Sequence, residues 1–304
     1  MISFYDDNFS AVFLFLSYPQ FLAPVFQYFL HNWNLILGFL LTIVFVVSCL
    51  KKKKVPAHLP SQDTRNCFNP DFFLDGCMHN GTYYKEKLSA DKLLRCYEIA
   101  PQRIKQYLDA EIQFVISNLH SSDLVLELGC GYGRVMKAVS QFVSRVVGND
   151  VSRESLEFAR SHMESCRNYD VFLMDASQMS FRSCVFDGVF CIQNGISAFA
   201  VDKKRLIVES VMVTKNNGVI LFSSYSPKIW EARLEWFRKQ SLFGLVGEID
   251  EEKTCDGTIV CKDGFRATTV SSDQFVELFG EFGLNASVIE VDESSIFCKV
   301  IKKK

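Results

Sequence analysis

The sequence predicts an α/β chain, a mostly parallel sheet with helices on both faces, preceded by a hydrophobic segment. Three observations carry this expectation. From about residue 83 onward, short apolar runs of strand length alternate with stretches of helical periodicity. A glycine-rich turn, Gly129-Cys130-Gly131-Tyr132-Gly133, joins the run 124–128 to a helical pattern beginning at Val135. Three acids, Glu127, Asp150 and Asp175, stand at the ends of three successive strand-like runs. Strand, glycine turn and helix together let a ligand approach the backbone. Glycine tolerates the tight bend and has no side chain to fend the ligand off. The N–H groups of the helix start then face whatever binds there.

Residues 1–54 are a different material. No charged side chain occurs between Phe9 and Leu50. The segment 33–50 is long enough, at about 18 helical residues and roughly 27 Å, to cross a bilayer's hydrocarbon core. Trp33 at one end and Lys51-Lys52-Lys53-Lys54 at the other read as interface anchors, and the lysines place the following chain in the cytosol. We therefore expect a single membrane span at 33–50, with the lipid bilayer as a partner. Residues 11–30 are also apolar but are interrupted by Pro19 and Pro24. They read as an interfacial helix or as a first span forming a hairpin with the second, and the prolines favour the single span. Residues 55–82, with scattered proline and glycine, form a linker or arm, and 83–304 is the folded domain.

Within that domain, Ser89-Ala90-Asp91 opens a helix to about Ile99, and Pro101 occupies the first turn of a second helix reaching Leu119. Strands follow at 124–128, 145–150, 170–175 and 186–192, a helix at 202–213, and a fifth strand at 219–223 after a turn at 216–218. An insertion at about 228–270 combines an amphipathic stretch carrying Trp230, Trp236 and Phe237 with a hairpin marked by Asp256-Gly257 and Asp263-Gly264. A last helix starts at Ser272 and stops at Gly283, and 286–291 and 295–301 close the chain as an antiparallel pair.

The glycines read Gly-x-Gly-x-Gly behind Glu127, and Arg134 stands where a dinucleotide fold would want its third glycine. This pattern resembles motif I of the class I S-adenosylmethionine-dependent methyltransferases. The resemblance covers about residues 83–301 and implies a Rossmann-like seven-stranded mixed sheet of order 3-2-1-4-5-7-6, its last strand antiparallel. It implies S-adenosyl-L-methionine as cofactor, with Glu127 near the methionine amino group and Asp175, beside Ala176, on the adenine amino group. Asp150 after the second strand suits the ribose hydroxyls. Gly129, Cys130, Gly131, Val151 and Gln193 complete the expected cofactor set. The loop at 193–197 matches motif IV, between sulfonium and substrate, and helices preceding motif I commonly cover the cofactor in this family. Tyr83, His79, Asn194 and Tyr225 are the candidate catalytic residues. Asn194 lacks the Pro-Pro-aromatic sequence of amide- and nucleobase-methylating relatives.

Composition narrows the partners. With 33 basic and 35 acidic residues the net charge is −2, so no global field draws in nucleic acid, and no obligate protein partner is implied. Eleven cysteines without a Cys-x-x-Cys suit reduced, buried thiols better than a disulfide framework or a metal site. The expected substrate is a small molecule, apolar or bearing a thiol or hydroxyl, methylated at a membrane surface. An aromatic cover of Trp230, Trp236 and Phe237 fits an apolar one. Two other functions compete: a membrane adaptor that binds the cofactor without turnover, and a nicotinamide-dependent oxidoreductase, which Arg134 and Asp175 disfavour.

Overall fold

Near-continuous burial along the central strands builds the architecture. In a computed structural model, Tyr83 and residues 87–199 and 201–303 are described. The span expected at 33–50, the apolar segment 11–30, the linker 55–82 and His79 lie outside these residues. Among the described residues no helix is long and apolar enough to cross a membrane.

Strands β1 (Leu124–Leu128), β2 (Arg145–Asp150), β3 (Tyr169–Leu173), β4 (Phe186–Cys191) and β5 (Thr214–Tyr225) lie parallel. A short hairpin, β6 (Ile259–Val260) with β7 (Arg266–Ala267), stands apart from the sheet. The last two strands are β8 (Ala286–Val291) and β9 (Ser295–Ile301), and β9 runs antiparallel to both β5 and β8. The sheet order is β3-β2-β1-β4-β5-β9-β8. With the hairpin strands left out of the count, that is 3-2-1-4-5-7-6.

Because side chains alternate across a strand, each central strand supplies both faces. Leu126, Val189, Ile220 and Phe222 enter one apolar layer, shared with α6 (Lys203–Val213) and α8 (Ser272–Gly280). Val125, Phe190, Leu221 and Phe297 enter the other. That layer is covered by α2 (Gln102–Ser117), α3 (Arg134–Val139) and α4 (Arg153–His162). Each such fully buried side chain contributes roughly 1.5–3 kcal/mol relative to exposure. A third cluster joins α1 (Ala90–Glu98), α2, α7 (Trp230–Leu242) and the hairpin. It forms the cap at the carboxyl end of β5, where Tyr225 packs into it.

Several boundaries differ from expectation for local reasons. Pro101 is the N-cap of α2 rather than part of its first turn. β3 ends at Leu173, because the Asp175 carboxylate accepts the backbone N–H of Ser177 and turns the chain. β5 starts at Thr214, so the expected turn at 216–218 lies inside the strand. The ladder with β4 shifts register between Phe186 and Gly188, and Asn217 takes a left-handed φ of 64° there. Of the described cysteines, Cys96, Cys130, Cys191, Cys261 and Cys298 are buried, whereas Cys184 and Cys255 are exposed.

Candidate active site at the carboxyl rim of the sheet

Register brings the predicted acids together. Glu127 on β1 lies opposite Gly148 of β2 and Phe190 of β4, and Asp150 closes β2 opposite Leu173 of β3. Adjacent strands are about 4.8 Å apart, so Glu127, Asp150 and Asp175 occupy neighbouring places on one edge. Asp175 sits two residues beyond its strand.

Gly129, Gly131 and Gly133 all take left-handed φ values, of 69°, 52° and 83°. Their loop is more self-contained than the sequence suggested. The N–H of Gly131 donates to Asp150 Oδ2 at 2.8 Å, that of Cys130 to the Asn149 carbonyl, and that of Gly133 to the Cys130 carbonyl. Helix α3 is only six residues long, so its dipole adds little. Neighbours also claim the space the glycines vacate. A Cβ at Gly129 would lie 2.4 Å from the ring of Phe199, and one at Gly131 would lie 3.0 Å from Leu93 of α1.

The residues fit an adenosylated amino acid. Asp150 accepts one N–H on each oxygen, from Gly131 and from Ser152, both at 2.8 Å. Its remaining lone pairs can take two ribose hydroxyls. Burial raises its pKa above the usual carboxylate value. Asp175 receives both the N–H and the hydroxyl of Ser177 on Oδ1, so Oδ2 carries neither bond; Ala176 beside it is buried. Val151 follows Asp150, half-buried. Glu127 is 5% exposed, and its Oε2 has no hydrogen-bond partner among the described residues. Burial pushes its pKa up to about 8, against the opposing pull of Arg134 and the Met136 N–H. A ligand ammonium at Oε2 would supply the missing partner.

Gln193, past the tip of β4 and just before the one-turn helix α5 (Gly195–Ala198), also takes a left-handed φ, of 56°. Its N–H donates to Glu111 Oε2 and its Oε1 accepts from the Tyr97 hydroxyl, both at 2.8 Å. Its Nε2 is buried without a partner among the described residues. Cys130 plays a packing part: its Sγ would lie 2.7 Å from a Cβ on Gly148, and burial pushes its thiol pKa well up.

The candidate catalytic side chains are otherwise engaged. The Tyr83 hydroxyl donates to Asp263 at 2.6 Å, and burial together with that carboxylate raises its pKa. Asn194 donates to the Thr268 carbonyl and accepts from Ser224, both at 2.8 Å, which fastens the β4 tip to the chain beyond β7 and to β5. Tyr225 is buried, with the Arg233 guanidinium 4.2 Å over its ring and its pKa raised by burial. Two of the three expected cover residues are core instead: Trp236 and Phe237 are each 5% exposed, and Trp236 Nε1 donates to the Cys96 carbonyl at 2.8 Å, while Trp230 packs half-buried against the same cluster. Among the described residues no cluster of His, Cys, Asp and Glu could hold a metal ion. A cavity of about 450 Å³, lined by Asp123, Asp187, Asn217 and Lys299, opens on the opposite, amino edge of the sheet.

Sequence reasoning missed Glu111. It is fully buried on α2, accepts from Gln193 and from the Ser295 hydroxyl, and burial raises its pKa to about 7. The signal was present, because Leu108, Glu111 and Val115 follow helical spacing and put an acid on the apolar stripe. Arg134 was read only as a missing glycine.

Residues 125–218 match the methyltransferase domain family. Over 143 residues the chain is 25% identical to the ubiquinone biosynthesis O-methyltransferase of Coxiella burnetii, covering 44% of this chain and 54% of that protein. Over 107 residues it is 28% identical to the enzyme of the same name from Idiomarina loihiensis, covering 34% and 43%. The chain thus spans about half the length of the curated relatives it matches. A solved protein of Pyrococcus horikoshii superposes with a TM-score of 0.51 at 20% identity, covering 74% of this chain and 100% of that one, a likeness of fold. The match to a methyltransferase domain thus spans the glycine loop and strands β1 to β4, under half of the chain.

Proposed function

We propose that the whole chain is an active methyltransferase that modifies a hydroxyl or thiol of a small, apolar molecule at the cytosolic face of a membrane. The observation that carries this reading is the buried Glu127 oxygen without a partner, on the same rim as Asp150 and Asp175. Glu127 takes the cofactor's ammonium, Asp150 its ribose hydroxyls, and Asp175 with Ala176 its adenine amino edge. Val151, Gln193 and the backbone at Gly129, Cys130 and Gly131 complete the contact. S-adenosylmethionine brings a methyl group already activated on a sulfonium. The chain's own part is to align the acceptor and exclude water, which can supply ~7–11 kcal/mol. The oxygen acceptor follows the likeness to relatives named for O-methylation in ubiquinone biosynthesis. A thiol is also compatible, since its ordinary pKa gives some thiolate near neutrality without a strong base. The membrane rests on the sequence of 33–50 and its flanking lysines.

A second reading, cofactor binding without turnover, is favoured by the engagement of Tyr83, Asn194 and Tyr225 elsewhere. Incubating the full-length chain with methyl-labelled cofactor and a lipid-soluble extract separates the two. A labelled product that disappears in Asp150→Ala supports the enzyme. Cofactor binding with no labelled product supports the adaptor, and absence of cofactor binding overturns both. Loss of the full-length chain from carbonate-washed membranes would remove the anchor.

A further inference from the structure

We propose that Arg134 clamps the carboxylate of the cofactor's amino-acid end, opposite Glu127, so that the pair recognises a zwitterion. This rests on the cofactor reading above and adds a residue to it. Arg134 opens α3 directly after the glycine loop, and its guanidinium lies 4.8 Å over the ring of Tyr97. Its Nε and Nη2 atoms are buried and have no hydrogen-bond partner among the described residues. Those two nitrogens form the side-on edge of the guanidinium, whose parallel N–H bonds match the two oxygens of a carboxylate. Buried donors left unsatisfied are costly, so two on one edge mark a place for an acceptor that arrives from outside.

The electrostatics agree. The charge of Arg134 is felt by both Glu127 and Glu111, holding each acid below where burial alone would place it. Yet neither acid forms an ion pair with it within 4.0 Å among the described residues. Glu127 keeps its own unsatisfied oxygen, Oε2, on the same rim. An unsatisfied acceptor and an unsatisfied bidentate donor, held apart, have the charge pattern complementary to an α-amino acid. Tyr97 fixes the arginine by stacking and is itself held through Gln193.

The test compares S-adenosylmethionine with its decarboxylated analogue, which lacks only the carboxylate, by calorimetry on the full-length chain. The wild type should bind the intact compound roughly ten- to a hundredfold more tightly. Arg134→Gln should erase most of that preference by weakening the intact compound alone. Arg134→Lys should restore part of it, since the charge remains without the fork. Glu127→Gln should weaken both compounds alike, and thermal melts of all variants verify folding. A wild type with no preference, or an Arg134→Gln chain that keeps it, overturns the clamp while leaving the cofactor site standing. Failure of both compounds to bind the wild type overturns the cofactor reading itself.

Discussion

The two ends of the same parallel strands are built on opposite rules. At the amino edge, charges are paired within the chain. Arg145 holds Asp170 at 2.9 Å, Lys215 holds Asp187 at 2.8 Å, and Asp187 also accepts the Leu124 N–H at 3.0 Å. At the carboxyl edge, Glu127, Arg134 and Gln193 each keep a buried polar atom without a hydrogen-bond partner among the described residues. A cavity of about 450 Å³ opens on the amino edge, but the charges around it are already answered, so open volume there does not signal chemistry. Unanswered polar atoms are the better guide to where a ligand belongs.

Substitutions can break this contrast, and the largest effect is expected at the paired end. Asp170→Ala should lower unfolding stability by about 3–5 kcal/mol, because the Asp170 side chain is 2% exposed and its close ion pair with Arg145 would be broken. Denaturant titration measures it, and cofactor affinity of the folded chain should be unchanged. Asp150→Ala, at the other end, should weaken cofactor binding by about 1.5–3 kcal/mol, the worth of a hydrogen bond to a charged group. Calorimetry showing full affinity would remove the ribose assignment.

A subtler difference should appear in pH dependence. Glu127 keeps its proton in the folded chain up to about pH 8, while its unfolded counterpart releases it near 4.5. The native state therefore binds more protons between those values, and its contribution to stability falls as pH rises through that window. Glu127→Gln should flatten this decline in melting experiments from pH 5 to 8. In the same range, cofactor affinity of the wild type should rise with pH, because an ammonium prefers the ionised carboxylate. The smallest effect belongs to Lys215→Ala, whose pair with Asp187 is half in solvent: under about 1 kcal/mol by denaturant titration.

How much of this was legible beforehand follows the same division. The sheet was readable because buried parallel strands write themselves as apolar runs, and the glycine loop with Glu127, Asp150 and Asp175 is local in sequence. The cap was not. Tyr83 meets Asp263, Trp236 meets Cys96, and Asn194 meets Thr268 across 180, 140 and 74 residues, and nothing in spacing announces such pairings. Trp236 and Phe237 fitted a substrate cover by composition alone, whereas packing made them core. Glu111 left a trace in helical periodicity, but its partners Ser295 and Gln193 come from distant strand ends.

Leu93 touches the glycine loop from α1, a helix of nine residues. Isolated helices that short are marginal in water, so α1 persists because it is docked. Ser89 donates to Glu154 at 2.6 Å, and the Ala90 N–H donates to Ser155 at 3.1 Å. A guest lying along the glycine loop is thereby roofed by a piece of chain that cannot stand alone. How long it stays becomes a question of how often that roof melts, and amide exchange in α1 reads the residence clock directly.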